Sequence, residues 1–224
     1  MSDGYSAIII GGTGAVGGSL VRELLASPRC TKLVTVGRRV IADLDDKKVD
    51  QRAIDLGKLE AEVTSAASGC TVAFSTMGVG QPSKVPREEF ERVDLEYNLA
   101  FGRACRAAGV NHLSLLSSVA ADAKSRTHYL HVKGKLEDGL AALGFARVSF
   151  FRPSVLVTKE LRYGFQDRLT QSGFPLVSWM LPSRFHQIPV EDLARAMRIN
   201  AERPPTAPVE VLHYADFQRL IGET

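Results

Sequence analysis

The chain has little of what disulfide-rich, zinc-binding or membrane-spanning proteins depend on. Its 224 residues contain only three cysteines, Cys30, Cys70 and Cys105. Their odd number, with no CxxC or Cys/His cluster, argues against a disulfide scaffold and against a zinc site. No apolar run reaches the roughly 18 residues of a membrane span, and the first residues lack the features of a signal peptide. From these absences we expect a cytoplasmic protein without a metal site or a transmembrane segment.

Excess charge is also scarce. The formal net charge is +3, and the dispersed Lys and Arg residues do not predict direct binding to nucleic acid. Hydrophobic residues make up 45% of the chain and charged residues 24%, as in ordinary globular proteins. A chain of this length can bury a large core without repeats or covalent cross-links. We therefore predict a single domain spanning residues 1–224.

Strand-length apolar runs alternate with helix-length segments over the first two thirds of the chain. This alternation predicts an α/β fold, a doubly wound parallel sheet with right-handed crossovers. Prolines interrupt the pattern after residue 153, so we expect residues 1–153 to form the core and residues 154–224 a small, dependent C-terminal cap. The predicted strands are 7–10, 32–36, 48–54, 71–74, 112–116 and 146–151, and the predicted helices are 16–26, 59–67, 88–108, 129–143, 190–201 and 215–221.

A glycine-rich loop, GGTGAVGG, follows the first predicted strand and opens the first helix. Gly11, Gly14 and Gly17 have the spacing GxxGxxG, and Gly12 with Gly14 and Gly17 has the spacing GxGxxG. Without side chains in the way, backbone N–H groups and the helix N-terminus can face a pyrophosphate. The position in a βαβ unit predicts a dinucleotide site at the 1–153 core; the alternative is a glycine turn without a ligand.

The end of the second predicted strand bears on which dinucleotide is bound. It reads Val36-Gly37-Arg38-Arg39, with no carboxylate for the ribose 2′-hydroxyl that NAD sites hold. Guanidinium groups suit a 2′-phosphate, so Arg38 and Arg39 favour NADP(H) over NAD(H). The alternative is a solvated pair of charges. Asp55, after the third predicted strand, is a candidate contact to the adenine.

A tyrosine and a lysine four residues apart, Tyr129 and Lys133, start the helix that follows the fifth predicted strand. At this spacing both side chains lie on one helix face, where the ammonium favours the phenolate form of the tyrosine. Such a tyrosine can exchange a proton with a carbonyl or alcohol oxygen while a hydride moves. Ser117 and Ser118 end the preceding strand, and we favour Ser118 as the hydroxyl that contacts the same oxygen. The alternative is a pair of turn-capping serines and a helix-start aromatic residue.

Together these motifs resemble the short-chain dehydrogenase/reductase superfamily, and more closely its atypical branch of Tat-interacting-protein oxidoreductases. The stretches that carry the resemblance are VGRR, FERVDLEYNLAFGRACRAAGVNHLSLLSS, YLHVKGKLE, FFRPSVLV and HQIPV, and it covers about residues 7–200. It implies an NAD(P)-binding Rossmann fold, with catalysis by Tyr129 and Lys133. The nucleotide contacts that it implies are Thr13, Gly14, Ala15, Val16, Arg38, Arg39, Met77, Gly78, Tyr129, Lys133, Val155 and Leu156, with Arg162 as a further match.

The sequence thus predicts an NADP(H)-dependent oxidoreductase that acts on a small-molecule carbonyl or alcohol. Because relatives in the branch are associated with binding other proteins, a nucleotide-bound regulatory protein with a protein partner is the alternative. An epimerase or a flavin-reductase-like enzyme is a third interpretation. Asp94 and Asn98 have i, i+4 spacing on the long predicted helix; we favour a solvated helix face for them, and the alternative is that they steady the active site from below. We interpret His186 as a candidate for the substrate cleft and Trp179 as cap packing.

Overall fold

A seven-stranded parallel sheet forms the centre of the molecule. The computed structural model describes residues 4–157 and 182–223, and the strand order in its main sheet is β3-β2-β1-β4-β5-β6-β9, with every neighbouring pair parallel. The predicted α/β class is confirmed. The strands are β1 Tyr5–Ile10, β2 Cys30–Gly37, β3 Val49–Ala53, β4 Val72–Ser75, β5 His112–Leu116, β6 Arg147–Phe151 and β9 Val209–Leu212, and two short strands, β7 Leu156–Val157 and β8 Ile188–Pro189, pair separately.

Helices cover both faces of the sheet. One face packs against α2, α4 and α5, and the other against α1, α6 and α7. Among the described residues, none of the helices is long and apolar enough to span a bilayer. The helices are α1 Ala15–Ala26, α2 Leu59–Ala66, α3 Arg87–Glu91, α4 Tyr97–Ala107, α5 His128–Ala141, α6 Val190–Glu202 and α7 Tyr214–Gly222, and the π-helical turn Arg92–Glu96 joins α3 to α4.

Strand β1 shows why the sequence carries an uninterrupted apolar run at this point. Ile8 and Ile10 pack into the core on the α2/α4/α5 face, while Ala7 and Ile9 pack on the α1/α6/α7 face. All four are at most 1% exposed, because a central strand of a doubly wound sheet has no solvent side. Burial of each isoleucine contributes about 1.5–3 kcal/mol. This strand sets the position of the glycine loop that follows it.

The C-terminal residues contribute a strand to the main sheet and two helices to one of its faces. Strand β9 pairs with β6, and α6 and α7 complete one helical layer. The sequence does not indicate β9, because its second residue, Glu210, is charged. In the structure Glu210 is buried against Arg147, with 2.8 Å between the carboxylate and the guanidinium. A division into a core of residues 1–153 and a cap of residues 154–224 stays a prediction, and residues 158–181 lie outside the described residues.

Candidate nucleotide site and active site

The candidate site lies at the carboxyl ends of the parallel strands, where the strand order reverses. The chain runs from β1 outward to β2 on one side and later from β4 to β5 on the other, which leaves a crevice between β1 and β4. Two adjoining cavities of about 520 and 630 Å³ occupy it, and both are lined by Gly14 and by residues 76–80. Because the two cavities share these lining residues, which include Gly14 of the glycine loop, we refer to them together as the groove.

The glycine loop is shaped by two close approaches. Gly11 has a φ of +86°, and a Cβ there would lie 2.6 Å from the Met77 nitrogen. A Cβ on Gly17 would overlap the Gly11 carbonyl oxygen. Gly14 precedes α1 and places no side-chain cap on the helix, so the first amides of α1 can bind an anion. This cradle fits a pyrophosphate.

The predicted loop contacts divide between the two cavities. Gly11, Gly12, Thr13 and Gly14 line the first cavity, whereas Ala15 and Val16 line the second together with Gly14. Met77 and Gly78 line both. Gly17 lines neither, because it is buried beneath the loop, where it permits the close approach of α1 to β1.

Positive charge lies at the far end of the first cavity. Arg38 and Arg39 follow β2, are exposed and line this cavity. Within the described part of the chain, neither forms an ion pair with a carboxylate. Two guanidinium groups are therefore available to an anionic ligand that enters from the glycine loop.

Asp55 is not brought to the cavity wall. Its carboxylate accepts a hydrogen bond from the Gly57 amide at 2.9 Å and caps the short turn Leu56–Lys58. Leu56 lines the first cavity in its place. Sequence reasoning also missed Arg92 and Tyr97, which line this cavity from the helical segment after β4. The α-helical periodicity of the sequence does not show that these two side chains face the cavity.

The second cavity brings the predicted catalytic residues together. Tyr129, Lys133 and Ser118 all line it, and the Lys133 Nζ lies 6.0 Å from the centroid of the Tyr129 ring. The Tyr129 ring also packs against buried Phe90, with 5.7 Å between the ring centroids. The tyrosine is thereby held between α3 and the lysine on its own helix.

The two strand-end serines have different surroundings. The Ser117 hydroxyl donates to Glu137, a buried carboxylate that is also paired with Arg152. Among the residues that the structure describes, the Ser118 hydroxyl makes only a long hydrogen bond, at 3.4 Å, to the neighbouring Val119 carbonyl. Ser117 is thus committed to the fold, while Ser118 can turn towards a ligand.

Asp94 and Asn98 contradict their interpretation as a solvated helix face. Asp94 is 2% exposed and Asn98 is fully buried. The Asn98 amide accepts from the Ser75 hydroxyl and donates to the Met77 carbonyl at 3.3 Å. The π-helical turn Arg92–Glu96 explains the error, because its extra residue rotates the helix faces away from the α-helical periodicity.

The residues after β6 contribute in part. Ser154 and Leu156 line the second cavity. Val155 does not, and its carbonyl accepts from the Ile188 amide at 3.0 Å. His186 lines neither cavity; its ring packs edge-on against Tyr214 at 5.1 Å. Arg162 and Trp179 lie outside the described residues.

A groove with an uncapped helix start in its floor suits a dinucleotide, and the parallel sheet around it has the fold of the NAD(P)-binding Rossmann proteins. A family model described as NAD(P)H-binding matches residues 11–177, and the chain belongs to this family. This match confirms the NAD(P)-binding Rossmann fold, and the relatives described next confirm the resemblance to the Tat-interacting-protein branch.

Two named relatives are similar over most of their length. Protein HTATIP2 of Rattus norvegicus is 33% identical over 213 residues, which cover 92% of this chain and 85% of the relative. The mitochondrial protein FMP52 of Debaryomyces hansenii is 30% identical over 204 residues, with 90% and 89% covered.

Among solved structures, the oxidoreductase ylbE of Lactococcus lactis superposes with a TM-score of 0.70 at 16% identity and covers 97% of both chains. MoeE5 in complex with UDP-glucuronic acid and NAD superposes with a TM-score of 0.74 at 20% identity, covering 93% of this chain and 76% of that one. At these identities the likeness shows the fold alone.

The relatives overturn the expected cytoplasmic location. Several FMP52 proteins that are at least 30% identical to this chain are named mitochondrial, which contradicts that expectation. The prediction was wrong because the composition of a folded domain does not determine the compartment in which the protein resides.

Proposed function

We propose that the protein is an NADP(H)-dependent oxidoreductase that transfers a hydride between the nicotinamide and a carbonyl or alcohol substrate. The observation that carries the proposal is the second cavity, which gathers Tyr129, Lys133 and Ser118 beside the glycine loop. Bound nicotinamide supplies the redox chemistry, and the protein supplies position and electrostatics.

The proposed roles follow from the side chains. The Tyr129 hydroxyl exchanges a proton with the substrate oxygen. The Lys133 ammonium lies beside the Tyr129 ring and would donate a hydrogen bond to the nicotinamide ribose. The Ser118 hydroxyl donates to the substrate oxygen and orients it. Leu156 and Val16 add apolar wall to the same cavity and limit the access of water.

The preference for the nucleotide follows from the other end of the groove. Arg38 and Arg39 line the first cavity and would bind the 2′-phosphate that distinguishes NADP(H) from NAD(H). Gly11 to Val16, with Met77 and Gly78, would hold the rest of the dinucleotide. Contacts from Asp55 and Val155 would require these residues to turn towards the groove.

The variant Tyr129→Phe tests the catalytic proposal. It removes the proton donor and keeps the aromatic packing against Phe90, so we expect unchanged NADPH affinity and a loss of turnover of about 100-fold or more. The measurement is NADPH oxidation with a panel of small aldehydes and ketones, with Tyr214→Phe as a tyrosine control that lines neither cavity. Turnover that survives Tyr129→Phe would reject the assigned chemistry; binding of NADPH without turnover of any substrate by the wild type would favour a regulatory protein.

A further inference from the structure

The carboxylate of Asp94 forms an ion pair inside the second cavity. Its Oδ1 lies 2.7 Å from the Lys133 Nζ, and the two side chains are only 3% and 7% exposed. Both residues line the cavity that contains Tyr129. Lys133, which we expect to contact Tyr129 and the nicotinamide ribose, is thus already paired with the negative charge of Asp94.

The surrounding structure fixes this carboxylate from the loop after β4. Its Oδ2 accepts from the Val79 amide at 2.8 Å, and a Cβ on Gly78 would lie 2.9 Å from its Oδ1. The π-helical turn Arg92–Glu96 directs Asp94 into this position. The carboxylate therefore connects the loop that lines both cavities to the catalytic helix α5.

The pairing has two physical consequences. An ammonium has three N–H donors, so Lys133 can bind Asp94 with one and still offer two to the cavity. A buried ammonium without a counter-charge would also repel the cationic ring of an oxidised nicotinamide, whereas the reduced ring is neutral. An adjacent carboxylate cancels this repulsion.

We propose that Asp94 is a positioning residue that acts through Lys133, holding the ammonium beside Tyr129 and cancelling its charge so that oxidised nucleotide is accepted as well as reduced nucleotide. The inference rests on the proposed function, and it adds a determinant of the redox state that the site prefers. Asp94 itself transfers no proton and no hydride.

The test compares Asp94→Asn with Glu96→Gln, which removes the same charge from an exposed position in the same turn. The dissociation constants of NADP⁺ and NADPH are measured for each. We expect Asp94→Asn to raise the ratio of the NADP⁺ constant to the NADPH constant by about tenfold, the effect of a nearby unit charge in a partly buried site, and Glu96→Gln to leave it unchanged. A loss of affinity equal for both nucleotides, or no effect, would overturn the inference.

The free energy of unfolding in urea provides a second measurement, made on Asp94→Asn, Lys133→Met and the double variant. Removal of Asp94 alone leaves a buried charge unpaired, whereas the double variant leaves none. We therefore expect the double variant to recover urea stability that Asp94→Asn loses. If the double variant is as unstable as Asp94→Asn, the carboxylate serves the Val79 amide and the inference is wrong. If wild-type protein binds neither nucleotide, the proposed function fails first and this inference falls with it.

Discussion

At the scale of single residues, the nucleotide cradle depends on positions where a methyl group has no room. A Cβ on Gly17 would overlap the Gly11 carbonyl and lie 2.6 Å from the Thr76 hydroxyl oxygen. We expect Gly17→Ala to displace the loop, weaken NADPH binding and destabilise the protein by about 1–3 kcal/mol. Nucleotide titration and urea unfolding measure the two effects.

Gly18 provides the matched control. A Cβ there would meet the Gly12 carbonyl oxygen at an ordinary 3.5 Å, and alanine is the better helix former by about 1 kcal/mol. Gly18→Ala should therefore bind nucleotide normally and be at least as stable as the wild type. Equal effects of the two substitutions would contradict the close-approach argument.

The two arginines after β2 make a separate residue-scale prediction. Arg38→Ala combined with Arg39→Ala removes the cations at the end of the first cavity, and we expect the dissociation constant of NADPH to rise about tenfold or more. NADH lacks the 2′-phosphate, so its binding should change little. Arg126→Ala, an exposed arginine outside both cavities, is the control. A loss that is the same for NADPH and NADH would show that the arginines do not read the phosphate.

Residue roles could be predicted from the sequence where they depend on local spacing. The glycine loop and the Tyr129/Lys133 pair can each be recognised from the spacing of residues within one segment of the chain. The structure places both motifs in the groove. For Asp94 the sequence left two alternatives, a solvated face or a support of the active site, because its burial depends on a π-helical turn and on contacts from other elements. For Asp55 the structure shows a turn cap, and its predicted adenine contact stays a prediction, because a turn cap and a ligand contact have the same sequence signature.

At the scale of elements, the amino-terminal parts of β5, β6 and β9 are joined by a buried polar network. The Nε2 of His112 lies 2.9 Å from the Ser149 hydroxyl oxygen, and that hydroxyl donates to Glu210 at 2.7 Å. Burial would by itself raise the pKa of Glu210, but hydrogen bonds from Thr206, Ser149 and Arg147 lower it to about 2. This network holds the last strand, β9, against β6 at the end of the sheet opposite to the groove.

The network makes stability depend on pH. Burial, together with the charge of Arg147, lowers the pKa of His112 to about 3. In the unfolded chain a histidine takes up a proton below about pH 6.5, while folded His112 stays neutral. Unfolding is therefore favoured as the pH falls from 6.5, and the His112 contribution should amount to about 2 kcal/mol between pH 6.5 and pH 5.

The variant His112→Gln should remove this part of the pH dependence. The free energy of unfolding in urea is measured at pH 6.5 and pH 5 for wild type, His112→Gln and the control His131→Gln. We expect a smaller loss of stability on acidification only for His112→Gln. An equal loss in all three proteins would place the responsible group elsewhere.

Helices and strands could be predicted from the sequence where the side chains that they bury are apolar. Strands β1, β2, β4, β5 and β6 are predicted by runs of β-branched and other apolar residues between turn signals. The signal for β3 is weaker, because Asp50, Gln51 and Arg52 occupy its centre. Strand β9 does not, because its stability depends partly on the Glu210–Arg147 pair, which joins residues 63 positions apart in the sequence. The continuous helical pattern of residues 88–108 also concealed the π-helical turn within it.

At the scale of the whole molecule, fold and site have one origin. The parallel order β3-β2-β1-β4-β5-β6-β9 directs every strand of the main sheet the same way. The segments that follow the strands thus converge on one edge of the sheet. They carry the glycine loop, Arg38, Met77, Ser118 and Leu156. A regular β–α alternation predicts this convergence from the sequence alone, but it does not predict the substrate side, which depends on irregular segments after β6.

The most direct test of the central claim is a titration of the purified wild-type protein with NADPH and, separately, with NADH, followed by binding heat or nucleotide fluorescence. We predict saturable binding of one nucleotide per chain, with a lower dissociation constant for NADPH than for NADH. Tighter binding of NADH would contradict the role of the arginine pair, and binding of neither nucleotide would contradict the proposed function itself.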